Sequence, residues 1–71
     1  MRLTIIKEDN MVYVDRVAKH VDCSDLPEDL HALQWDGESG WIEFVDNYKA
    51  AEPITDIEPY LKYVDAWEIA S

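Results

Sequence analysis

One cysteine, two glycines and six basic residues close most of the usual routes to catalysis, metal binding and nucleic-acid contact for this 71-residue chain. Cys23 alone can form neither an intramolecular disulfide nor a cysteine-rich zinc site, so stability must come from packing. The missing disulfide framework favours a reducing compartment. Gly37 and Gly40 sit together in one turn-like stretch, with no lysine and hydroxyl residue following as a phosphate-binding loop requires. Against the six basic residues stand 16 acidic ones, a formal charge of -10, and no basic stripe exists to attract a phosphate backbone. Direct nucleic-acid binding is therefore not expected. No run approaches the roughly 20 apolar residues that span a bilayer, and the first apolar stretch reaches Glu8 and Asp9 before a signal-peptide core forms. The expected location is cytoplasmic, without a membrane partner.

What is present argues for folding. Hydrophobic residues make up 48% of the chain, too many for a disordered acidic tail. Three tryptophans, four tyrosines and one phenylalanine supply large apolar surfaces to a small core. A chain of this size buries only about 60% of the surface its unfolded form exposes, so residues 1-71 make a single domain and a second core is excluded.

Alternation of apolar residues predicts a strand over Arg2 to Lys7, a turn at Glu8-Asp9-Asn10 and a returning strand over Met11 to Asp15. Val17 to Val21 reads as a continuation past a bulge or as a short edge strand. Asp22 to Leu30 holds turn residues and at most one helical turn after Pro27. Period two returns in His31-Ala32-Leu33-Gln34-Trp35, placing His31, Leu33 and Trp35 together. Asp36 to Gly40 is the clearest turn, where either glycine can take positive φ. Trp41 to Val45 completes a second hairpin, with Ile42 and Phe44 inward and Trp41, Glu43 and Val45 on the opposite face.

Asp46 to Glu52 reads as a connection ended by Pro53. Beyond Thr55 the period becomes helical, with Ile57, Leu61, Val64 and Trp67 near one face, Tyr60 beside them, and Lys62 spaced to pair with Glu58. Thr55 or Asp56 can cap a helix of about three turns ending near Ala70. The expected architecture is α+β: a small antiparallel sheet built from two hairpins, packed against one C-terminal helix.

No chemistry emerges from the reactive residues. His20, Cys23 and His31 lack a zinc-ligand spacing, the many carboxylates single out no acid-base pair, and nothing orients a base toward Cys23. The expectation is a non-enzymatic protein with no cofactor, metal site or catalytic residue.

Binding is the better reading. Asp15, Asp22, Asp25, Glu28 and Asp29 form one acidic stretch, and Asp36, Glu38, Glu43 and Asp46 surround the second hairpin. Same-face residues in a strand stand about 6.6 Å apart, near twice the rise of a DNA strand per nucleotide, so converging acids would imitate phosphates in a basic groove. Trp35 and Trp41 are candidate aromatic anchors for a protein partner, with Trp67, Tyr48, Tyr60 and Tyr63 as further aromatic surface. Trp67 is assigned first to the helix-sheet core. Dimerisation through a strand edge or tryptophan is opposed by the charge, and the sequence assigns no stoichiometry.

Leu3-Thr4-Ile5-Ile6, Val12-Tyr13-Val14-Asp15, His31 to Trp35, Gly40 to Val45 and Tyr63 to Trp67 together resemble a family of small phage or prophage accessory proteins encoded near tail genes. The resemblance covers most of the chain and brings no catalytic residues with it. It implies binding to another protein, a tail or tail-assembly component, in the host cytoplasm or in association with the virion. Its members carry glycine after the Val-Asp pair, where this chain has Arg16, which leaves the geometry of that turn open. The competing expectation, from charge, is an acidic DNA mimic that inhibits a basic DNA-binding defence protein such as a CRISPR, restriction or nuclease complex.

Overall fold

The computed structural model describes residues 1-46 and 48-70. Its architecture is α+β: six antiparallel strands, β1 Leu3–Ile6, β2 Met11–Val14, β3 Val17–His20, β4 Leu30–Trp35, β5 Gly40–Phe44 and β6 Glu52–Ile54, backed by helix α1, Leu61–Ile69. Their order across the sheet is β3-β2-β1-β4-β5-β6. The N-terminal strand is therefore central, joining two three-stranded halves.

The alternation fixes which face is apolar. Leu3 and Ile5 pair with Val14 and Val12 on one side and with Trp35 and Leu33 on the other, and Leu33 pairs with Ile42. All seven are buried, and Tyr63 and Val64 of α1 close over them. Burying Leu33 completely contributes roughly 1.5–3 kcal/mol, as for any fully enclosed large aliphatic side chain.

Several local expectations are corrected. Asp46 to Glu52 does not remain a plain connection: β6 begins at Glu52 and carries Pro53, which an edge strand of three residues tolerates because few ladder bonds are needed there. Asn47, inside that stretch, lies outside the described residues. Val17–His20 is the edge strand of the other half. His31 does not share a face with Leu33 and Trp35, because the β4–β5 register shifts between Leu30 and Ala32 and leaves His31 at the irregularity.

The helical stripe is kept except at Leu61: Val64 is buried, and Ile57, Tyr60 and Trp67 pack against the core. A 3-10 turn over Glu58–Tyr60 precedes α1, and its three residues per turn shift the phase at which the α-helical period begins. Tyr63 and Val64 become the buried pair, whereas Leu61 is 38% exposed. Asp56 accepts the Glu58 N–H at 2.9 Å, and Lys62 pairs with Asp25 rather than Glu58.

Residues 21–29 pack into the core although they form neither helix nor strand. Val21, Cys23 and Leu26 are buried, and Asn10 anchors the segment twice: its carbonyl accepts the Val21 N–H and its side-chain oxygen accepts the Cys23 N–H, both at 2.9 Å. Asp25 then accepts hydrogen bonds from Lys62 and, at 2.7 Å, from the Tyr63 hydroxyl, tying the segment to α1.

Candidate functional site

The face of the sheet away from α1 presents two cross-strand rows. Tyr13, Thr4, Gln34 and Trp41 form one, and His20, Met11, Ile6, Ala32 and Glu43 form the next. Among the described residues no helix covers these rows. Ala32 is nevertheless only 1% exposed. Trp41 is 44% exposed, and its indole N–H donates to Glu43 at 2.8 Å, which fixes the ring along β5.

The first row forms a cleft of about 330 Å³. Thr4 and Gln34, joined by a 2.8 Å hydrogen bond, make its floor, while Tyr13 and Trp41 stand at its sides. Three strand spacings separate the Tyr13 and Trp41 backbones, about 14 Å. Arg2, Arg16, Trp35 and Asp36 complete the lining at the end of the sheet where β2 and β4 finish.

That end is assembled by a reciprocal link. The Arg2 N–H donates to the Asp15 carboxylate and the Asp15 N–H donates to the Arg2 carbonyl, both at 2.9 Å. Asp15 and Arg16 form the two-residue turn between β2 and β3, with φ of 48° and 74°. Positive φ at both positions defines the turn type that matches strand twist, and it settles the geometry left open by Arg16.

The sequence-selected residues are divided by the topology. Trp35, Asp36 and Trp41 line the cleft, with Glu43 bonded to Trp41. Trp35 itself is 7% exposed and belongs to the core, so Trp41 is the surface tryptophan of this hairpin. Asp15, Asp36 and Glu38 lie at the cleft end of the sheet. Asp22, Asp25, Glu28, Asp29 and Asp46 lie in segments at the opposite end. The two ends of the sheet thus divide the acids, and each end draws on both sequence groups.

Most of these carboxylates have local work. Asp22 accepts the Ser24 N–H, Asp36 accepts those of Glu38 and Ser39, and Asp46 accepts that of Tyr48. Asp29 pairs with Lys49 at 3.0 Å. These bonds favour the charged form and hold Asp22, Asp25, Asp29 and Asp36 below the ordinary aspartate value; for Asp25 the Lys62 bond is the larger cause and the Tyr63 bond the next.

A carboxylate depressed on folding stabilises above its unfolded-state value, about 3.9, and that contribution disappears as pH falls through the folded value. Asp25→Asn should therefore lower the urea midpoint at pH 7, and the gap from wild type should narrow as pH falls below the unfolded-state value and through the lowered folded one. A gap that stays constant over this range would mean that the charge on Asp25 contributes nothing.

The reactive residues do not converge. Cys23 is buried, its thiol donates to the Val21 carbonyl, and burial pushes its pKa up, followed by the nearby Asp22 and Asp25 charges. His31 Nδ1 lies 3.4 Å from Glu8 instead. Among the described residues no three His, Cys, Asp or Glu side chains form a metal-binding group, and no helix is long and apolar enough to cross a membrane.

Sequence reasoning missed Thr4, Tyr13, Gln34, Arg2 and Arg16. Strand parity already places Thr4 and Tyr13 opposite the buried Leu3, Ile5, Val12 and Val14 of their strands. What the sequence does not reveal is that β1 separates β2 from β4, and this order brings Tyr13 and Trp41 to the same cleft. Trp67 packs against the core, its indole N–H donating to the Val17 carbonyl at 2.8 Å and Lys19 lying 4.2 Å from its ring.

Comparison with models of protein families, with curated proteins and with solved structures finds no match.

Proposed function

We propose that this chain is a non-catalytic protein-binding module whose docking surface is the sheet face opposite α1. The observation that carries this reading is Trp41, 44% exposed and held by Glu43 beside a cleft whose far side is Tyr13. Tryptophan and tyrosine are the residues most often found at the energetic centre of protein interfaces, where a large rigid ring is desolvated at small entropic cost. Thr4 and Gln34 give the floor polar groups that fix orientation.

The resemblance to phage accessory proteins supports a tail or tail-assembly component as partner. The charge of -10 supports the DNA-mimic alternative, but the division of acids between the two ends of the sheet weighs against a continuous phosphate-like row.

The test is affinity capture from phage-infected cells at low and high salt, with wild type and Trp41→Ala. A tail component retained at both salts by wild type, with at least tenfold weaker recovery by the variant, is the expected result. Salt-sensitive recovery of a nuclease or restriction component, indifferent to Trp41, would transfer support to the mimic. Trp41 lies outside the core cluster, so an unchanged far-ultraviolet circular dichroism spectrum serves as the folding control.

A further inference from the structure

Both arginines of the chain line this cleft. The sequence contains only Arg2 and Arg16, and they stand together at its end, brought there by the reciprocal Arg2–Asp15 backbone link. Three of the four lysines are engaged elsewhere: Lys19 with Trp67, Lys49 with Asp29 and Lys62 with Asp25. Among the described residues neither arginine is in an ion pair. In so acidic a protein, it is specific that both arginines line one cleft.

Arg16 holds its place against backbone preference. Its φ of 74° lies in the left-handed region, where a side chain is disfavoured and glycine is not. Glycine would form the same two-residue turn with less strain, but it would take the guanidinium from the cleft. Asp36, the carboxylate in the lining, accepts two N–H groups of its own turn and is held below the ordinary aspartate value mainly by them, with the Arg2 charge a lesser cause.

We infer that this cleft captures the C-terminal carboxylate of the partner protein, with Arg2 and Arg16 binding the carboxylate and the last side chain lying between Tyr13 and Trp41. A guanidinium fork matches a carboxylate in plane and spacing, which a lysine does not. The volume of about 330 Å³ lies at the small end of ligand sites, suiting a terminal residue better than a segment that runs through. The partner's chain would cross the Ile6–Ala32 row, run parallel to the strands and end at the arginines. This assignment rests on the reading of the face as a protein-docking surface.

The test uses the whole protein and three probes: N-acetyl-glycyl-phenylalanine as free acid, the same peptide as amide, and N-acetyl-aspartyl-phenylalanine amide. Nitrogen–proton NMR titration should show the free acid binding at least tenfold more tightly than either amide, with shifts at the Trp41 indole and the Gln34 amide. In Arg16→Gly, whose melting temperature should be unchanged or higher, that preference should vanish. Arg16→Lys keeps the charge and the strained turn, and should lose most of the preference. Equal binding of acid and amide, or no binding, overturns the inference. Aspartyl amide binding as well as the free acid overturns the assignment to a chain terminus. Acid preference reads the arginine pair alone, whereas partner capture reads the sheet face, so the two failures are distinguishable.

Discussion

Gly40→Ala should abolish the cooperative thermal transition of this protein. A Cβ built on Gly40 would stand 1.9 Å from the Gln34 carbonyl oxygen and 2.9 Å from both the Gln34 carbonyl carbon and Trp35 Cα. All three are backbone atoms, so no side-chain rotation relieves the contact. Strand β4 cannot retreat, because its other edge is paired with β1. The β4–β5 ladder must open at its turn end, exposing Trp35 and releasing β6, which pairs with Gly40 through Ile54. A loss of more than about 4 kcal/mol belongs to the severe class of single substitutions, and a small domain has total stability of only about 5 kcal/mol or somewhat more.

Gly37→Ala provides the contrast. Its nearest atom would be the Met1 carbonyl oxygen at 3.4 Å, so its cost comes mainly from φ of +112° and should be about 1–2 kcal/mol. Circular dichroism melts of both variants would decide the matter. Equal melting temperatures would show that close approach at Gly40 is not what its turn requires.

The two glycines also show what the sequence makes legible. Either is a candidate for positive φ by its place in the turn; only Gly37 adopts it, and Gly40 is needed for an approach across strands that no local pattern reveals. Likewise the alternation in β1, β2, β4 and β5 separates core from surface residues, because one face is buried and period two follows. The edge strands are less legible for a physical reason: β3 has no fully buried residue, and β6 is three residues with a central proline. On the helical side the period does place Val64 and Trp67 against the core, whereas Leu61 turns outward and Tyr63 inward after the 3-10 turn, whose angular step differs from that of the α-helix.

The cleft depends on information of a different range. Trp41 emerges from the parity of β5, but its companions come from β1, β2 and β4, and Arg16 from a hairpin turn whose φ values only the fold reveals. Composition draws attention to the acids, the commonest charged groups. The structure spends many of them on turns and lysine pairs, and leaves the two rare arginines together. Scarcity is the more informative signal. A net charge describes attraction at long range, whereas recognition in the cleft depends on the few groups within hydrogen-bonding reach.

Asn10→Ala should destabilise the fold by about 2–4 kcal/mol, although Asn10 is exposed. Its φ of 49° lies in the left-handed region, which asparagine tolerates and alanine does not. Alanine would also orphan the Cys23 N–H, whose 2.9 Å bond to the Asn10 side chain is partly buried. The effect would spread because residues 21–29 deliver Val21, Cys23 and Leu26 to the core and hold α1 through Asp25. Three substitutions separate the causes. Asn10→Asp keeps both the acceptor and the tolerated backbone, and should remain nearest to wild type; Asn10→Gly keeps only the backbone, and should be intermediate; alanine keeps neither. Urea midpoints should follow that order, with melting temperature falling about 4–8 °C per kcal/mol. If glycine and alanine fall together, strain contributes nothing and the Cys23 bond carries the effect. If glycine matches wild type, the bond is dispensable, and the segment that braces α1 is held by its buried side chains alone.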